Sequence, residues 1–226
     1  MEIILTEDVL SNNNEAARFN RDLFRKKNTF TINIMSSPGS GKTTLLEKTV
    51  ADLAGKYRIG VIEGDLATQK DADRIRAAGA KAVQINTNGT CHLDARMVAK
   101  VLPEFQDDEY DLIFIENVGN LICPSSYDLG QGRNITMLSV PEGNDKILKY
   151  PVMYQRTELV LLNKIDLIDL LDFSIEEAIE DLKNINPSSR LIPVSARKGT
   201  NLEEWYAWID NAYEEWTKAQ KELETK

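Results

Sequence analysis

The chain of 226 residues carries a formal net charge of −9 at pH 7, and 42% of its residues are hydrophobic. This length suits one α/β domain with a substantial core, while the acidic balance argues against a nucleic-acid partner, which needs a basic face, and favours a cytoplasmic protein. No stretch approaches the roughly 18 apolar residues of a membrane span, and the N-terminus has no signal-peptide pattern, so we expect no membrane partner.

The first predicted element is an amphipathic helix over residues 7–26. Apolar residues recur there among charged ones at the spacing of one helix face. They are Leu10, Ala16, Phe19, Leu23 and Phe24. We therefore expect an N-terminal helical extension over residues 1–27 and a single main domain over residues 28–226.

Predicted strands and helices then alternate along the chain. The strands are expected at residues 30–35, 58–63, 82–86, 111–117, 134–140, 158–162 and 190–194. The helices are expected at residues 42–54, 68–78, 93–104 and 174–184, with a last helix that begins near Asn201. This alternation predicts an α/β fold, in which a doubly wound, mostly parallel sheet of about seven strands has helices on both faces.

The loop after the first predicted strand has the sequence of a phosphate-binding loop (P-loop). Residues 36–44 read SSPGSGKTT; the backbone N–H groups of such a loop wrap phosphate oxygens, and its glycines let the backbone approach them closely. Lys42 would reach the β- and γ-phosphates, and the Thr43 hydroxyl would coordinate Mg²⁺. Ser36 stands where the pattern usually has its first glycine. We predict a P-loop NTPase whose loop contacts come from Gly39, Ser40, Gly41, Lys42, Thr43 and Thr44.

A second motif, NKID at residues 163–166, follows an apolar strand and predicts which base is bound. A carboxylate at a strand end can accept two parallel hydrogen bonds from N1 and N2 of guanine, a pair that adenine does not offer. The segment SAR at residues 195–197 follows the next strand and resembles the loop that backs guanine in GTPases. A surface turn capped by Asp166 is the alternative. We expect GTP or GDP, held by Asn163, Lys164, Asp166, Ser195 and Ala196.

Two acidic residues at strand ends are candidates for the magnesium shell. Asp65 ends the segment EGD, and Glu116 begins ENVG, which looks like the acid-x-x-Gly element that senses the γ-phosphate in GTPases. Carboxylates there can meet Mg²⁺ directly or through water, and Gly119 would offer its N–H to the γ-phosphate. Ordinary strand-end solvation or helix capping is the alternative for each acid. The predicted catalytic residues are Lys42, Asp65 and Glu116, and the predicted Mg²⁺ ligands are Thr43, Asp65 and Glu116.

Cys91, His92 and Cys123 are the only thiols and the only imidazole in the chain. Loops at the carboxyl ends of parallel strands gather on one edge, so all three should lie on the edge that holds the P-loop. Their sulfur and nitrogen donors suit Zn²⁺ or Ni²⁺, and because three ligands leave a four-coordinate ion incomplete, a twofold dimer would supply the rest. Inert cysteines with a surface histidine, or a disulfide, remain the alternatives.

Five segments, in this order, resemble the hydrogenase nickel-incorporation GTPases, the HypB family. They are SSPGSGKTTLLE, EGDLATQKDADRI, TNGTCHLDARMV, IFIENVGNLICPSSYDLG and NKIDL, and the match spans most of residues 30–200. The resemblance implies a GTPase whose subunits pair face to face when GTP is bound, and which couples GTP hydrolysis to nickel delivery into a [NiFe]-hydrogenase precursor. The implied partners are a second copy of the chain, the nickel-binding accessory protein HypA and the hydrogenase large-subunit precursor.

The resemblance also implies roles for individual residues. It places Lys42, Thr43, Asp65 and Glu116 at the triphosphate and magnesium, Asn163, Lys164 and Asp166 at guanine, and Cys91, His92 and Cys123 at a nickel or zinc ion in the dimer interface. Some members of the family begin with a Cys-x-x-Cys-Gly-Cys site or carry a histidine-rich store, whereas this chain has two cysteines and one histidine. We therefore expect one shared metal per dimer and no high-capacity nickel storage.

No side chain has the context of a catalytic glutamine or an arginine finger, so slow intrinsic hydrolysis is expected. Lys146 or Lys149 is a candidate to reach the neighbouring nucleotide across the interface. Because Gly119 and Cys123 share one loop, hydrolysis should move Cys123 and change the coordination of the metal. The rival hypotheses are a metal-independent regulatory GTPase, a P-loop kinase for a small molecule, a structural metal site that holds a dimer, and an accessory GTPase for another metalloenzyme.

Overall fold

A parallel sheet of seven strands forms the centre of the computed structural model, which describes residues 6–65 and 70–224. The strands are β1 (Phe30–Ser36), β2 (Ile59–Asp65), β3 (Lys81–Asn86), β4 (Leu112–Glu116), β5 (Arg133–Ser139), β6 (Leu159–Asn163) and β7 (Arg190–Pro193). Their order across the sheet is β3-β2-β4-β1-β5-β6-β7, and each neighbouring pair is parallel. The predicted fold is confirmed, although β2 runs two residues beyond its predicted end and reaches Asp65.

β1 lies between β4 and β5, where the order of the strands reverses. Every one of its residues is buried, as expected for a strand that is covered on both faces. Open parallel sheets bind ligands beyond the carboxyl ends of their strands at such a reversal. The loop that follows Ser36 is therefore at the place where this fold forms its binding crevice.

Helices cover both faces of the sheet in the described part of the chain. They are α1 (Thr6–Lys26), α2 (Lys42–Leu53), α3 (Lys70–Ala77), α4 (Ala95–Val101), α5 (Lys146–Lys149), α6 (Pro151–Gln155), α7 (Ile175–Ile185) and α8 (Leu202–Glu224). Side chains alternate between the faces: in β4, Leu112 and Phe114 pack with α2 and α8, whereas Ile113 and Ile115 pack with α1 and α4. None of these helices is both long enough and apolar enough to cross a membrane.

One helix prediction differs from the structure, one is described only in part, and two short helices were not predicted. The helix predicted at residues 93–104 is α-helical only over α4, because Asp94 caps its start by accepting a hydrogen bond from Met97 N at 2.8 Å, and a 3₁₀ turn with Pro103 replaces its end. Residues 68 and 69 of the helix predicted at 68–78 lie outside the described residues. α5 and α6 were not predicted, because four- and five-residue helices are too short to show a helical period.

Two buried asparagines join α1 to the segment where α4 begins. Asn13 Oδ1 accepts from Ala95 N and Asn20 Nδ2 donates to Ala95 O, both at 2.8 Å. Asn20 Nδ2 also donates to Leu129 O at 3.0 Å. Phe24 of α1 belongs to the apolar cluster under α4. The predicted helix is thus present and packs on the sheet, while the division of the chain at residue 27 stays a prediction.

Candidate nucleotide and metal sites

The loop between β1 and α2 has a backbone that favours glycine. Gly39 and Gly41 have φ angles of 74° and 106°, in the left-handed region where other residues are strained. A Cβ atom on Gly41 would also lie 2.5 Å from Asn163 Nδ2, so no side chain fits there. These two positions explain why the SPGSGK sequence has glycine where it does.

Ser36 takes part in the loop instead of disturbing it. Its hydroxyl oxygen accepts hydrogen bonds from Ser40 Oγ at 2.6 Å and from Lys42 Nζ at 2.7 Å. Lys42 is almost fully buried, and this burial lowers the pKa of its ammonium group, against the attraction of Glu116. A serine in the place of the usual glycine therefore provides an acceptor that holds the lysine beside the loop.

Two cavities adjoin the P-loop. One of about 520 Å³ lies between the loop, the carboxyl ends of β2 and β4, and α3. Another of about 480 Å³ lies between the loop and the segments that follow β6 and β7. Gly41, Thr44 and Lys164 line both cavities, so the two are adjacent. Volumes of this order are typical of small-molecule sites.

The first two residues of the NKID motif connect the loop after β6 to the P-loop. Asn163 Nδ2 donates to Ser40 O at 2.8 Å, and Asn163 Oδ1 accepts from Ala196 N at 2.9 Å. Lys164 Nζ donates to Gly39 O at 2.6 Å. Asn163 is buried and joins three loops, which accounts for an amide at this position.

The last residue of the motif faces the second cavity. Asp166 lines that cavity together with Ser195 and Arg197. Ser195 Oγ donates to Asp166 Oδ1 at 2.6 Å, which orients the carboxylate. A carboxylate held at the rim of a cavity can accept the paired N–H donors of guanine.

Two glutamates lie side by side at the floor of the first cavity. Glu63 and Glu116 are opposite each other in the β2–β4 register, and they are 2% and 6% exposed. Thr43 Oγ1 donates to Glu116 Oε1 at 2.9 Å. Glu63 Oε1 and Glu116 Oε2 are buried without a hydrogen-bond partner. Buried carboxylate oxygens of this kind need a cation or a proton.

These acids form a donor set that suits magnesium. Burial and the neighbouring Glu116 carboxylate raise the pKa of Glu63 to about 10, so the pair holds a proton at neutral pH unless a cation neutralises it. Asp65 and the Thr43 hydroxyl line the same cavity. Oxygen donors of this kind are the ligands that Mg²⁺ prefers, so the residues present fit the ion.

The sequence analysis did not identify two residues that line the first cavity, Glu63 of β2 and Arg74 of α3. Glu63 is the last residue of the strand predicted at 58–63, but the sequence does not give the strand register that places it opposite Glu116. Arg74 also lines the first cavity, where it donates to Thr44 Oγ1 at 3.1 Å and to Glu47 Oε2 at 2.6 Å. The segment DADR, inside one of the family-like stretches, was the available signal.

The three predicted soft ligands lie together. Cys91 Sγ, a His92 ring nitrogen and Cys123 Sγ all lie within 4.8 Å of one another. Cys91 Sγ is 2.8 Å from Cys123 Sγ and 3.7 Å from His92 Nδ1. Both cysteines are free thiols, so the structure contradicts the alternative hypothesis of a disulfide between them. Two sulfurs and one nitrogen converge on a point where one soft or borderline metal ion fits.

The surroundings of His92 hold its ring in place and keep it neutral. The ring stacks on Tyr127, with centroids 3.8 Å apart and an interplanar angle of 22°. Desolvation lowers the pKa of His92, which favours the neutral imidazole that binds metals. The hydrogen bond shared with Cys91, together with burial, raises the pKa of Cys123, so a metal would have to displace a proton there.

The loop after β4 (residues 117–123, the β4 loop) touches both sites. A Cβ atom on Gly119 would lie 2.8 Å from Pro38 Cα, so this glycine packs directly on the P-loop. Four residues later comes Cys123, whose backbone N donates to Asn120 Oδ1 at 3.2 Å. The nucleotide cavities and the thiol–imidazole cluster therefore share one edge of the sheet, as expected.

The two lysines considered for contact across an interface lie on α5. Lys146 Nζ is 3.4 Å from Asp145 Oδ1, and Lys149 also pairs with Asp145. Both belong to an exposed surface of the single chain, next to the apolar residues Leu148 and Val152.

A doubly wound parallel sheet, a P-loop at its strand-order reversal and a base loop tied to that P-loop define a nucleotide-binding protein of the P-loop NTPase class. The sequence profile of the family "CobW/HypB/UreG, nucleotide-binding domain" matches residues 30–193. The chain belongs to the HypB family of hydrogenase maturation factors, as its sequence motifs predicted.

Relatives and solved structures agree with this assignment. The hydrogenase maturation factor HypB of Azotobacter chroococcum mcd 1 is 49% identical over 207 residues, which are 91% of this chain and 68% of that protein. The crystal structure of HypB from Helicobacter pylori in complex with nickel has a TM-score of 0.86 and 39% identity, covering 90% of this chain and 96% of that one. The structure of HypB from Archaeoglobus fulgidus has a TM-score of 0.85 and 38% identity, covering 90% and 100%.

Proposed function

We propose that this protein is a GTPase that binds nickel at Cys91, His92 and Cys123 and releases it, under the control of bound nucleotide, for the maturation of a [NiFe]-hydrogenase. One observation carries the proposal: the β4 loop packs on the P-loop at Gly119 and contributes a metal-ligand candidate at Cys123. A displacement of Gly119 by the γ-phosphate would therefore reach Cys123, the metal-ligand candidate, through four residues of backbone. The nickel complex of the Helicobacter pylori relative supports nickel as the cargo.

The chain's own residues supply the groups that nucleotide binding and phosphoryl transfer need. Lys42 and the P-loop N–H groups would bind the phosphates, and the Asp166 carboxylate would select guanine. Thr43, Asp65 and Glu116 would hold Mg²⁺, with Glu63 beside them. When bound, the magnesium ion neutralises the charge that develops on the phosphates.

Intrinsic hydrolysis should be slow. Phosphoryl transfer depends on positioning and on charge neutralisation, and the strongest accelerators are a residue that orients water and an added arginine. Arg74 is near the cavity, but its guanidinium group is occupied by Glu47 and Thr44. A second subunit or another partner is therefore needed for fast turnover, and Lys146 or Lys149 remains a candidate for such a contact.

The metal site supports a GTP-dependent homodimer. The cluster offers three ligands, and a four-coordinate ion needs a fourth, which a second copy of the chain can supply across a twofold axis. Next to Cys123, the exposed residues Ile122 and Val152 line an apolar groove of about 300 Å³. We propose one nickel or zinc ion per dimer, with HypA and the hydrogenase large-subunit precursor as further partners in the cytoplasm.

Titration of the protein with Ni²⁺ and with Zn²⁺, in the presence of GDP or of a non-hydrolysable GTP analogue, tests this function. The dissociation constant of the metal should differ between the two nucleotides, because the β4 loop connects them. Cys123→Ala should weaken metal binding by at least about tenfold and leave GDP affinity nearly unchanged, since one ligand is lost far from the base. Ser188→Ala, an exposed site away from this edge, is the control. Equal metal affinity in both nucleotide states would contradict the proposal.

A further inference from the structure

Asn117, the first residue of the β4 loop, has one side-chain oxygen that serves two loops. It is 1% exposed and follows Glu116 at the end of β4. Its Oδ1 accepts from Leu93 N at 3.1 Å and from Val118 N at 3.0 Å. Leu93 directly follows the metal-ligand candidate His92, and Val118 directly precedes Gly119.

The other end of this amide is fixed to the central strand. Asn117 Nδ2 donates to Asn33 Oδ1 at 3.3 Å, and Asn33 Nδ2 donates to Asn134 Oδ1 at 2.9 Å. The backbone N of Asn117 donates to Ile34 O at 3.0 Å. Both Asn33 and Ile34 belong to β1, the strand that runs into the P-loop. Asn117 is thus anchored on β1 through its amide nitrogen and its backbone N–H, while its amide oxygen bonds to two loops.

Leu93 has little freedom to move independently of the end of β2. A Cβ atom on Gly64 would lie 2.7 Å from Leu93 Cγ, so the leucine side chain fills the space above the end of β2. Leu93 itself is fully buried. The side chain of Leu93 is held against the end of β2, so a change in the hydrogen bond between its N–H and the Asn117 oxygen reorients the peptide group that joins Leu93 to His92.

We infer that Asn117 is the positioning residue that couples nucleotide state to metal affinity. This inference rests on the proposed function. When Gly119 moves toward or away from a γ-phosphate, the Val118 N–H moves with it, and the Asn117 oxygen that binds this N–H also binds Leu93. The two loops thus share one acceptor, and His92 changes its position relative to Cys123 when the β4 loop changes state. Asn117 lines the first cavity beside Val118 and Gly119, but its side-chain hydrogen bonds go to Leu93, Val118 and Asn33 and not to the donor atoms of the metal-ligand candidates.

The experiment measures a ratio rather than an affinity. The dissociation constant of Ni²⁺ is determined by competition with a chromophoric chelator, once with GDP and once with a non-hydrolysable GTP analogue, and the quotient is the coupling factor. Allosteric coupling of this kind is typically roughly 5–150-fold. In Asn117→Ala the factor should fall to near one, while Ni²⁺ still binds with both nucleotides.

Three variants define the outcome. Asn117→Asp keeps an oxygen for both backbone N–H groups and should retain most of the coupling factor. Asn117→Ser, whose hydroxyl ends one bond short, repeats the test if the alanine variant does not fold. Asn186→Ala is the control. It removes a side-chain amide that lies before β7 and donates to Thr157 O at 2.8 Å, and it should leave the coupling factor unchanged.

The possible failures are distinguishable. A wild-type coupling factor retained in Asn117→Ala, or lost equally in Asn186→Ala, would overturn the role of Asn117 and leave the proposed function standing. A coupling factor of one in the unsubstituted protein would overturn both.

Discussion

At the scale of single residues, the pair Glu63 and Glu116 shows how this protein keeps two like charges together. Each is buried at a strand end, and the β2–β4 register places them side by side. Thr43 satisfies one oxygen of Glu116, but an oxygen of each carboxyl group has no hydrogen-bond partner. Such an arrangement is unfavourable unless a proton or a cation is present, which is typical of a functional site and not of a packing core.

Glu63→Gln should therefore stabilise the nucleotide-free protein at alkaline pH. The pKa of Glu63 rises from its ordinary 4.5 to about 10 on folding, so between these values the folded state binds more protons than the unfolded state and stability falls as pH rises. At pH 8.5 we expect a gain of about 1–3 kcal/mol in the free energy of unfolding, because the substitution removes a buried carboxyl group that must keep a proton which it loses on unfolding. Urea unfolding at pH 6 and pH 8.5, without Mg²⁺ or nucleotide, measures this.

The same substitution should weaken the dependence of GDP binding on Mg²⁺, since it removes a carboxylate beside the ion. Glu180→Gln, on the exposed side of α7, is the matched control and should change neither property. If the free energy of unfolding changes with pH equally in Glu63→Gln and in the parent protein, then Glu63 and Glu116 do not share the proton that the raised pKa of Glu63 predicts.

At the scale of elements, α1 is joined to α4 by polar contacts as well as apolar ones. Asn20 is fully buried and donates to two carbonyl oxygens, those of Ala95 and Leu129, on two different segments. One of these segments begins three residues after His92, and the other follows Tyr127, whose ring stacks on His92. α1 thus holds the two segments that adjoin His92 and its stacking partner Tyr127.

Asn20→Ala should lower the free energy of unfolding by about 1–3 kcal/mol, because two buried carbonyl groups lose their donor. Asn14→Ala, at an exposed position of the same helix, should be neutral or slightly stabilising because alanine is the better helix former. Equilibrium unfolding in urea provides both values. Equal effects of the two substitutions would show that Asn20 contributes only helix propensity.

At the scale of the whole molecule, one edge of the sheet holds almost everything that is chemically distinctive. The nucleotide cavities, the thiol–imidazole cluster and the exposed apolar residues Ile122, Leu148 and Val152 all lie beyond the carboxyl ends of the strands or on elements beside them. An exposed apolar group next to a candidate metal site with three ligands is the pattern expected of a surface that pairs with a second copy.

Ile122→Glu should therefore weaken GTP-dependent dimerisation by at least about tenfold, since it places a charge in a surface that would be buried. The affinity of the monomer for GDP should not change. Leu223→Glu, which alters a similarly exposed leucine near the end of α8, is the matched control. Sedimentation with a non-hydrolysable GTP analogue measures the dimer, and an equal loss in both variants would argue against this face.

The sequence by itself determined the α/β class, all seven strands, the P-loop, the NKID motif and the set of soft ligands. These features are local, because hydrophobic period, glycine placement and side-chain chemistry can be read within a few residues. The short helices α5 and α6 escaped prediction because they have no measurable period.

Only the tertiary structure decided which distant groups meet. The register of β2 with β4 places Glu63 opposite Glu116, and the packing of neighbouring loops sets the 2.8 Å between Cys91 Sγ and Cys123 Sγ, which the sequence predicted only to lie on the same edge. The shared oxygen of Asn117 depends in the same way on two loops that are remote in sequence. Such contacts follow from strand order and register, which depend on the packing of the whole core and leave no mark on the residues next to each site.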